Sequence, residues 1–223
     1  MKTKARASAQ LRVESSVPHI QAEIERLIAN GEIDAGERVK EAVIAQLLGV
    51  SRGPVREACR LLERVGLLKS VMNKGFYVRS LSAKEALDLY DLRRNLFGMA
   101  GRLAAPRIDD LKIQGLEQVY NAMNEAISEN DTVRFYNLNT DFHQQVVEYA
   151  DNYRLTEIWP TLESELQLFR RQGLYTVASM QNSNREHRVI LDALASGNPE
   201  LAQRATEQHI AEGKVRLLRN ING

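Results

Sequence analysis

Apolar residues recur every three or four positions along most of this 223-residue chain, and this spacing predicts a helical protein. The first such run, VPHIQAEIERLIANGEI, is predicted to end near Gly31. A short second helix, KEAVIAQLLG, is predicted to stop at Gly49. A third is predicted to begin at a cap on Ser51 and to end at Gly66. These three helices occupy the first third of the chain.

The segment after the third helix changes its pattern. LLKSV and GFYVRS flank the turn residues MNK, which predicts a two-stranded hairpin. Three helices and a hairpin make a winged helix-turn-helix, which we assign to residues 15–80. Residues 1–14 are basic and polar without the apolar core of a signal peptide, so we interpret them as a flexible arm.

The chain beyond residue 80 is predicted to be helical throughout. Ser82 and Glu85 have the spacing of a capping box, and Pro160 is expected to kink its helix. The fold class is therefore mostly α, with an N-terminal winged helix-turn-helix followed by an all-α six-helix bundle over residues 83–219. The six predicted helices cover about 83–106, 110–129, 132–150, 153–172, 183–196 and 199–219.

Charge divides the chain in the same place. Residues 1–82 contain 14 Lys and Arg against 9 Asp and Glu, for a net charge of +5, whereas residues 83–223 contain 16 against 20, for −4. A basic front and an acidic back indicate two domains with different partners. The single Cys59 fits a reducing compartment, where we expect it to be a small core residue. No apolar run reaches the ~18 residues of a membrane span, so we expect a cytoplasmic protein without a membrane partner.

Two arginines mark the start of the third helix. Arg52 and Arg56 lie four residues apart, one above the other, in a turn that the apolar face of residues 55–65 leaves projecting. Arg reads guanine in the major groove, and helix N-terminal N–H groups accept phosphate. Lys74 and Gly75 lie at the hairpin tip, where a small residue lets the backbone approach DNA. The alternative is an ordinary helical hairpin with a solvated arginine face.

The sequence EAVIAQLLGVSRGPVREACRLLERVGLL, followed by NKGFYVRSLS, resembles the DNA-binding domain of GntR-type bacterial transcription regulators. The resemblance implies binding to double-stranded operator DNA through Ser51, Arg52 and Arg56, with wing contacts from Lys74 and Gly75. Two positions depart from the family. Gly53 replaces a frequent Thr at the DNA-facing turn, which removes one possible contact, and Ala42 stands where some members carry Arg.

Three histidines lie on three different predicted helices, each beside the apolar stripe: His143, His187 and His209. Imidazoles that converge in a helical core have the chemistry to bind a metal ion. Taken singly, each is more often a core or surface histidine with a hydrogen-bond partner. Spacing alone leaves both interpretations open.

The segments YDLRRNLFGMAGRLAA, NTDFHQQVVEYADN and EHRVILDALASGNPELA resemble the FCD domain of the FadR subfamily, in its VanR-like branch. The resemblance implies an effector-binding and dimerisation domain that holds a divalent metal such as zinc, nickel or manganese. Its metal ligands are an Asp and three His, and the His positions match the three histidines above. Asn139 takes the Asp position and offers only a neutral oxygen. An Arg near this position is implied as a partner for an effector carboxylate; of Arg93 and Arg94 we favour Arg93, the alternative for either being a solvated helix face. Phe97 replaces a frequent Glu.

The combined interpretation is a homodimeric transcription regulator, a repressor, that responds to a small organic acid. The rival interpretation is a metal-dependent enzyme that uses the three histidines. Glu186 and Asp141 are near in sequence, but neither is expected on the His143 face as a general base. No phosphate loop or HExxH motif occurs, so we predict a protein that is not an enzyme. A DNA-binding structural protein without a sensor is a further alternative.

Overall fold

A computed structural model describes residues 16–29, 31–170 and 176–222 of the chain. The chain divides into two compact units, with a boundary between Leu81 and Ser82. The predicted arm, residues 1–14, lies outside the described residues. None of the described helices is both long and apolar enough to cross a bilayer.

In its described residues, the first unit has three helices and a hairpin, as predicted. In the hairpin, Leu68 pairs with Val78 and Val71 with Gly75 in antiparallel register. Arg38, in the loop before the second helix, forms an additional isolated bridge to Tyr77. The elements are α1 (Val17–Ala29), α2 (Glu41–Leu47), α3 (Arg52–Arg64), β1 (Leu68–Val71) and β2 (Gly75–Val78).

The core of the first unit lies under α3. Val55, Ala58 and Leu62 are fully buried on one face of this helix, together with Ile20 and Ile24 of α1. Burying a side chain the size of Val, Leu or Ile stabilises the fold by about 1.5–3 kcal/mol. Cys59 is also fully buried, as expected of a core residue. This packing fixes which face of α3 remains outside.

Ser51 stands at the N-cap position of α3 with extended backbone, but its side chain makes no capping hydrogen bond. The prediction of a serine cap is therefore wrong in its chemistry. An N-cap hydroxyl usually accepts from the N–H two or three residues ahead, and the residue three ahead is Pro54, which has no N–H.

The second unit has six α-helices, as predicted, among its described residues. The capping box is present, because Glu85 N–H donates to Ser82 Oγ at 3.2 Å and Ser82 N–H donates to Glu85 Oε2 at 2.8 Å. The helices are α4 (Ala83–Ala104), α5 (Asp110–Ser128), α6 (Thr132–Tyr149), α7 (Tyr153–Arg170), α8 (Val177–Ala195) and α9 (Pro199–Asn222), with a 3₁₀ turn at Ala105–Arg107.

The start of one predicted helix needs correction. Helix α8 begins at Val177 rather than at 183, because Thr176 forms a capping box with Ser179. Helix α7 continues through Pro160 from Tyr153 to Arg170, and the kink expected at this proline stays a prediction.

Helices α4 and α9 pack closely at two glycines. A Cβ atom at Gly101 would lie 2.7 Å from the backbone oxygen of Ala202, and one at Gly98 would lie 2.5 Å from the side chain of Glu207. At Gly101, where the neighbouring atom belongs to the backbone, only glycine allows this approach. Since α4 carries Arg93 and α9 carries His209, the contact also sets the distance between two residues of the site described next.

Candidate functional site

The three histidines converge inside the second unit. They come from α6, α8 and α9, and all three side chains are buried. His143 Nε2 lies 3.2 Å from His187 Nε2 and 2.9 Å from His209 Nε2. Nitrogens bound to one zinc ion in tetrahedral geometry lie about 3.3 Å apart, so the spacing and the donor type both fit a divalent metal.

His209 is oriented by a carboxylate. Its Nδ1–H donates to Glu186 Oε2 at 2.8 Å, and Arg216 donates two hydrogen bonds to the same carboxylate, at 2.5 and 2.9 Å. Its other ring nitrogen, Nε2, therefore carries a lone pair toward the centre. A carboxylate behind a histidine is a common support for metal ligation. Sequence reasoning considered Glu186 only as a general base and missed this role.

His187 is oriented by an amide. Asn184 Nδ2 donates to Asn124 Oδ1 at 2.7 Å, which leaves Asn184 Oδ1 facing His187 Nδ1 at 3.4 Å. The proton of His187 therefore lies on Nδ1, and its Nε2 also presents a lone pair. Complete burial lowers the pKa of His187 well below its usual range, and the neighbouring His209 adds to this effect. A neutral ring is the form that binds metal.

His143 differs from the other two histidines. Arg93 Nη2 donates to His143 Nδ1 at 2.8 Å. A guanidinium can only donate, so neutral His143 carries its proton on Nε2, toward His187 and His209. A metal ion on the three Nε2 atoms would require this proton to leave.

Arg93 is buried beside the histidines rather than on a solvated helix face. Its Nε atom forms an ion pair with the buried Glu163, and its guanidinium carbon lies 5.2 Å from the centre of the Trp159 ring. The expected partner of an effector carboxylate is thus at the site, with its charge balanced by a carboxylate of the chain itself. Sequence reasoning missed Glu163, whose neighbours on its own helix give no sign of a buried charge.

An aromatic wall encloses one side of the histidines. Phe97 stacks on Trp159 with ring centres 5.2 Å apart and meets His143 edge-on at 4.9 Å. Trp159 Nε1 is buried without a hydrogen-bond partner among the described residues. Phe97 thus gives the site an apolar surface at the position where the family resemblance implies a frequent Glu.

Asn139 is buried on α6, one turn before His143. Residues four apart share a helical face, which fits the expectation that its oxygen is a weak fourth ligand. Asp141 is exposed and accepts a hydrogen bond from Gln145, so it does not replace Asn139.

The predicted DNA contacts lie on the surface of the first unit. Ser51, Arg52, Gly53 and Arg56 are exposed around the first turns of α3. At the hairpin tip Lys74 is exposed as well. These residues therefore stay accessible, while the apolar face of α3 is buried.

The hairpin tip depends on Gly75. This residue has φ +92°, and a Cβ atom there would lie 3.5 Å from Arg38 Nη2. The exposed Arg38 was not among the predicted DNA contacts. Its position beside the tip comes from the bridge to Tyr77, which local sequence pattern did not reveal.

Family comparison agrees with both units. A family described as "Bacterial regulatory proteins, gntR family" matches residues 17–78, and the FCD domain matches residues 88–212. The chain belongs to the GntR family. The exposed α3 arginines and the hairpin lie within the gntR match. Arg93 and the three histidines lie within the FCD match.

Two relatives of this GntR regulator are described as transcription regulators. The probable D-xylose utilization operon transcriptional repressor of Paenarthrobacter nicotinovorans is 36% identical over 184 residues, which cover 82% of this chain and 80% of that protein. The Nta operon transcriptional regulator of Aminobacter aminovorans is 31% identical over 84% of this chain and 88% of that protein.

Solved structures share the fold. E. coli McbR/YncC matches with a TM-score of 0.82 over 92% of this chain and 98% of that chain, at 18% identity. A GntR-type regulator from Rhodococcus sp. RHA1 matches with a TM-score of 0.78 over 91% of this chain and 97% of that chain, at 23% identity.

Proposed function

We propose that this GntR regulator is a cytoplasmic transcriptional repressor that leaves its operator when a small organic acid binds to the second unit. One observation carries the proposal: α3 exposes two arginines in its first turns, while the other unit buries a cluster of three histidines and an arginine. The descriptions of its relatives as repressors and regulators of operons support the same function.

DNA binding would use the exposed turn of α3 in a major groove. Arg52 and Arg56 would contact base edges, Ser51 and the backbone at Gly53 would contact phosphate, and Lys74 and Gly75 would meet the backbone or the minor groove. A homodimer would place two such helices on the half-sites of a palindromic operator.

Effector binding would use the histidine cluster. His143, His187 and His209, with Asn139 as a weaker ligand, would hold a divalent metal such as zinc, nickel or manganese. The bound metal would supply positive charge that attracts a carboxylate. Arg93 would orient that carboxylate from the α4 side, and the wall of Phe97 and Trp159 would exclude water and strengthen both interactions.

The enzyme alternative has less support. A hydrolytic metal site needs a carboxylate placed as a general base. Glu186 instead receives hydrogen bonds from His209 and Arg216, and Glu163 is paired with Arg93. We therefore propose a sensor rather than a catalyst.

The test of this function measures operator affinity. A duplex selected from a random library by the wild-type protein serves as the operator in gel-shift titrations. Arg52→Ala and Arg56→Ala should each weaken binding by about 1–3 kcal/mol and relax base preference.

Arg64→Ala is the matched control, because Arg64 is exposed in the last turn of the same helix. It removes the same charge at the opposite end and should change affinity much less. Full affinity and selectivity in both test variants, or an equal loss in the control, would contradict the assignment of α3 as the recognition helix.

A further inference from the structure

Arg93 lies at the meeting point of three partners in the second unit. It donates to His143 Nδ1 at 2.8 Å, forms an ion pair with Glu163 and lies against the Trp159 ring. Both charged groups are buried, with 2% of Arg93 and 6% of Glu163 exposed. A charged pair taken out of water costs desolvation free energy, and hydrophobic replacements are often at least as stable. Stability alone therefore does not explain why Arg93 and Glu163 are buried together.

Trp159 supplies an independent observation. The side chain is fully buried, and its indole N–H has no acceptor among the described residues. Buried indole N–H groups usually find a partner. A buried donor of this kind, in a ring that lies against a guanidinium, points to an oxygen-bearing ligand at this site.

We propose that Glu163 occupies the carboxylate position on Arg93 in the effector-free protein and that an incoming carboxylate displaces it. The inference rests on the proposed function and adds its competitive step. One carboxylate replaces another on the guanidinium, and the displaced Glu163 side chain turns toward water or takes up a proton, so that a single negative charge remains buried against Arg93. An oxygen of the ligand also gives the Trp159 N–H an acceptor. The effector class is therefore a small, oxygen-rich carboxylate.

The exchange also has a structural consequence. Glu163 and Trp159 lie one turn apart on α7. Displacement of Glu163 changes the surroundings of α7 at the point where the ligand binds. Helix α7 is thus the element whose surroundings the effector changes.

The test uses the only tryptophan of the chain as its reporter. Acetate is titrated into the full-length protein against sodium chloride at equal ionic strength, and Trp159 fluorescence and calorimetry report binding. Glu163→Gln keeps the size of the side chain but removes its charge, so acetate should bind about tenfold more tightly than to wild type. Unchanged or weaker acetate binding would overturn the proposal.

Glu117→Gln is the matched control. Glu117 accepts a hydrogen bond from Arg188 at 3.0 Å in the same unit, where the pair is partly exposed. Its loss removes the same charge and should leave acetate affinity at the wild-type value. An equal gain in this control would assign the effect to net charge and contradict the proposal.

A second variant covers the case in which Glu163→Gln does not fold. Glu163→Asp keeps the charge but withdraws it by one methylene, so acetate should raise the thermal unfolding midpoint of this variant more than that of wild type. A rise no larger than that of wild type would show a purely structural ion pair. Neither measurement involves DNA, so both test the exchange separately from the proposed function. If acetate binds more tightly to the variant but does not release the protein from its operator in a gel-shift assay, the proposed function is contradicted and the exchange is not.

Discussion

At the residue scale, Pro54 determines whether the Ser51 side chain can cap helix α3. Pro54 removes the N–H that a cap usually bonds, and the Ser51 side chain makes no capping hydrogen bond. We expect Ser51→Ala to lower the free energy of unfolding by less than about 0.5 kcal/mol while weakening operator binding. Ser82→Ala, which removes a formed capping box, should cost about 1 kcal/mol. Urea unfolding followed by circular dichroism compares the two; an equal loss would mean that Ser51 does cap α3.

Burial also determines the chemical reactivity of a single residue, Cys59. Burial, with a smaller contribution from Glu41, raises the pKa of the Cys59 thiol to about 12. Only about one molecule in ten thousand is a thiolate at pH 8, and the thiolate is the reactive form. We expect iodoacetamide to leave the native protein unlabelled at pH 8 and to label it fully in urea, as measured by intact mass. Rapid labelling of the native protein would contradict the burial of this side chain.

At the scale of elements, the contact between α4 and α9 is decisive. A Cβ at Gly101 would meet Thr206 Oγ1 at 2.6 Å and a backbone oxygen of Ala202 at 2.7 Å. Gly101→Ala must separate the helices, and overpacking of this kind costs about 1–3 kcal/mol. It should also weaken metal binding, because the two helices carry Arg93 and His209. Urea unfolding and a calorimetric zinc titration measure the two effects.

Gly115→Ala is the control for that experiment. A Cβ at Gly115, in the interior of α5, would meet its nearest neighbour at an ordinary 3.7 Å. Alanine is favoured over glycine in a helix by up to about 1 kcal/mol, so this variant should be at least as stable as wild type. A loss of stability equal to that of Gly101→Ala would contradict the role of the close helix contact.

At the scale of the whole molecule, the proposed sensing site and the proposed DNA contacts lie in different units. His187→Ala should lower metal affinity and abolish effector-dependent release from DNA, while operator binding without effector stays near the wild-type value. Asn139→Asp should raise metal affinity because it adds an anionic ligand. Calorimetric metal titration and gel-shift assays provide the two readouts. No change in metal affinity in either variant would return the histidines to a structural role.

Features set by neighbouring residues were predictable from the sequence alone. The apolar spacing of α1, α3 and α4, the capping box at Ser82 and the turn between the two strands depend on contacts within a few residues. The same local patterns were enough to show the family resemblance and hence the two kinds of site. The start of α8 was missed because the apolar stripe begins later than the cap at Thr176.

Tertiary structure alone decided how the site is assembled. His143, His187 and His209 are 44 and 22 residues apart, and only the packing of three helices brings their Nε2 atoms together. The pairing of Glu186 with His209 and of Glu163 with Arg93 depends on the rotation of each helix about its axis, which local spacing does not specify. Composition placed these charges on the chain, but burial between helices determined which of them meet and which proton each histidine carries.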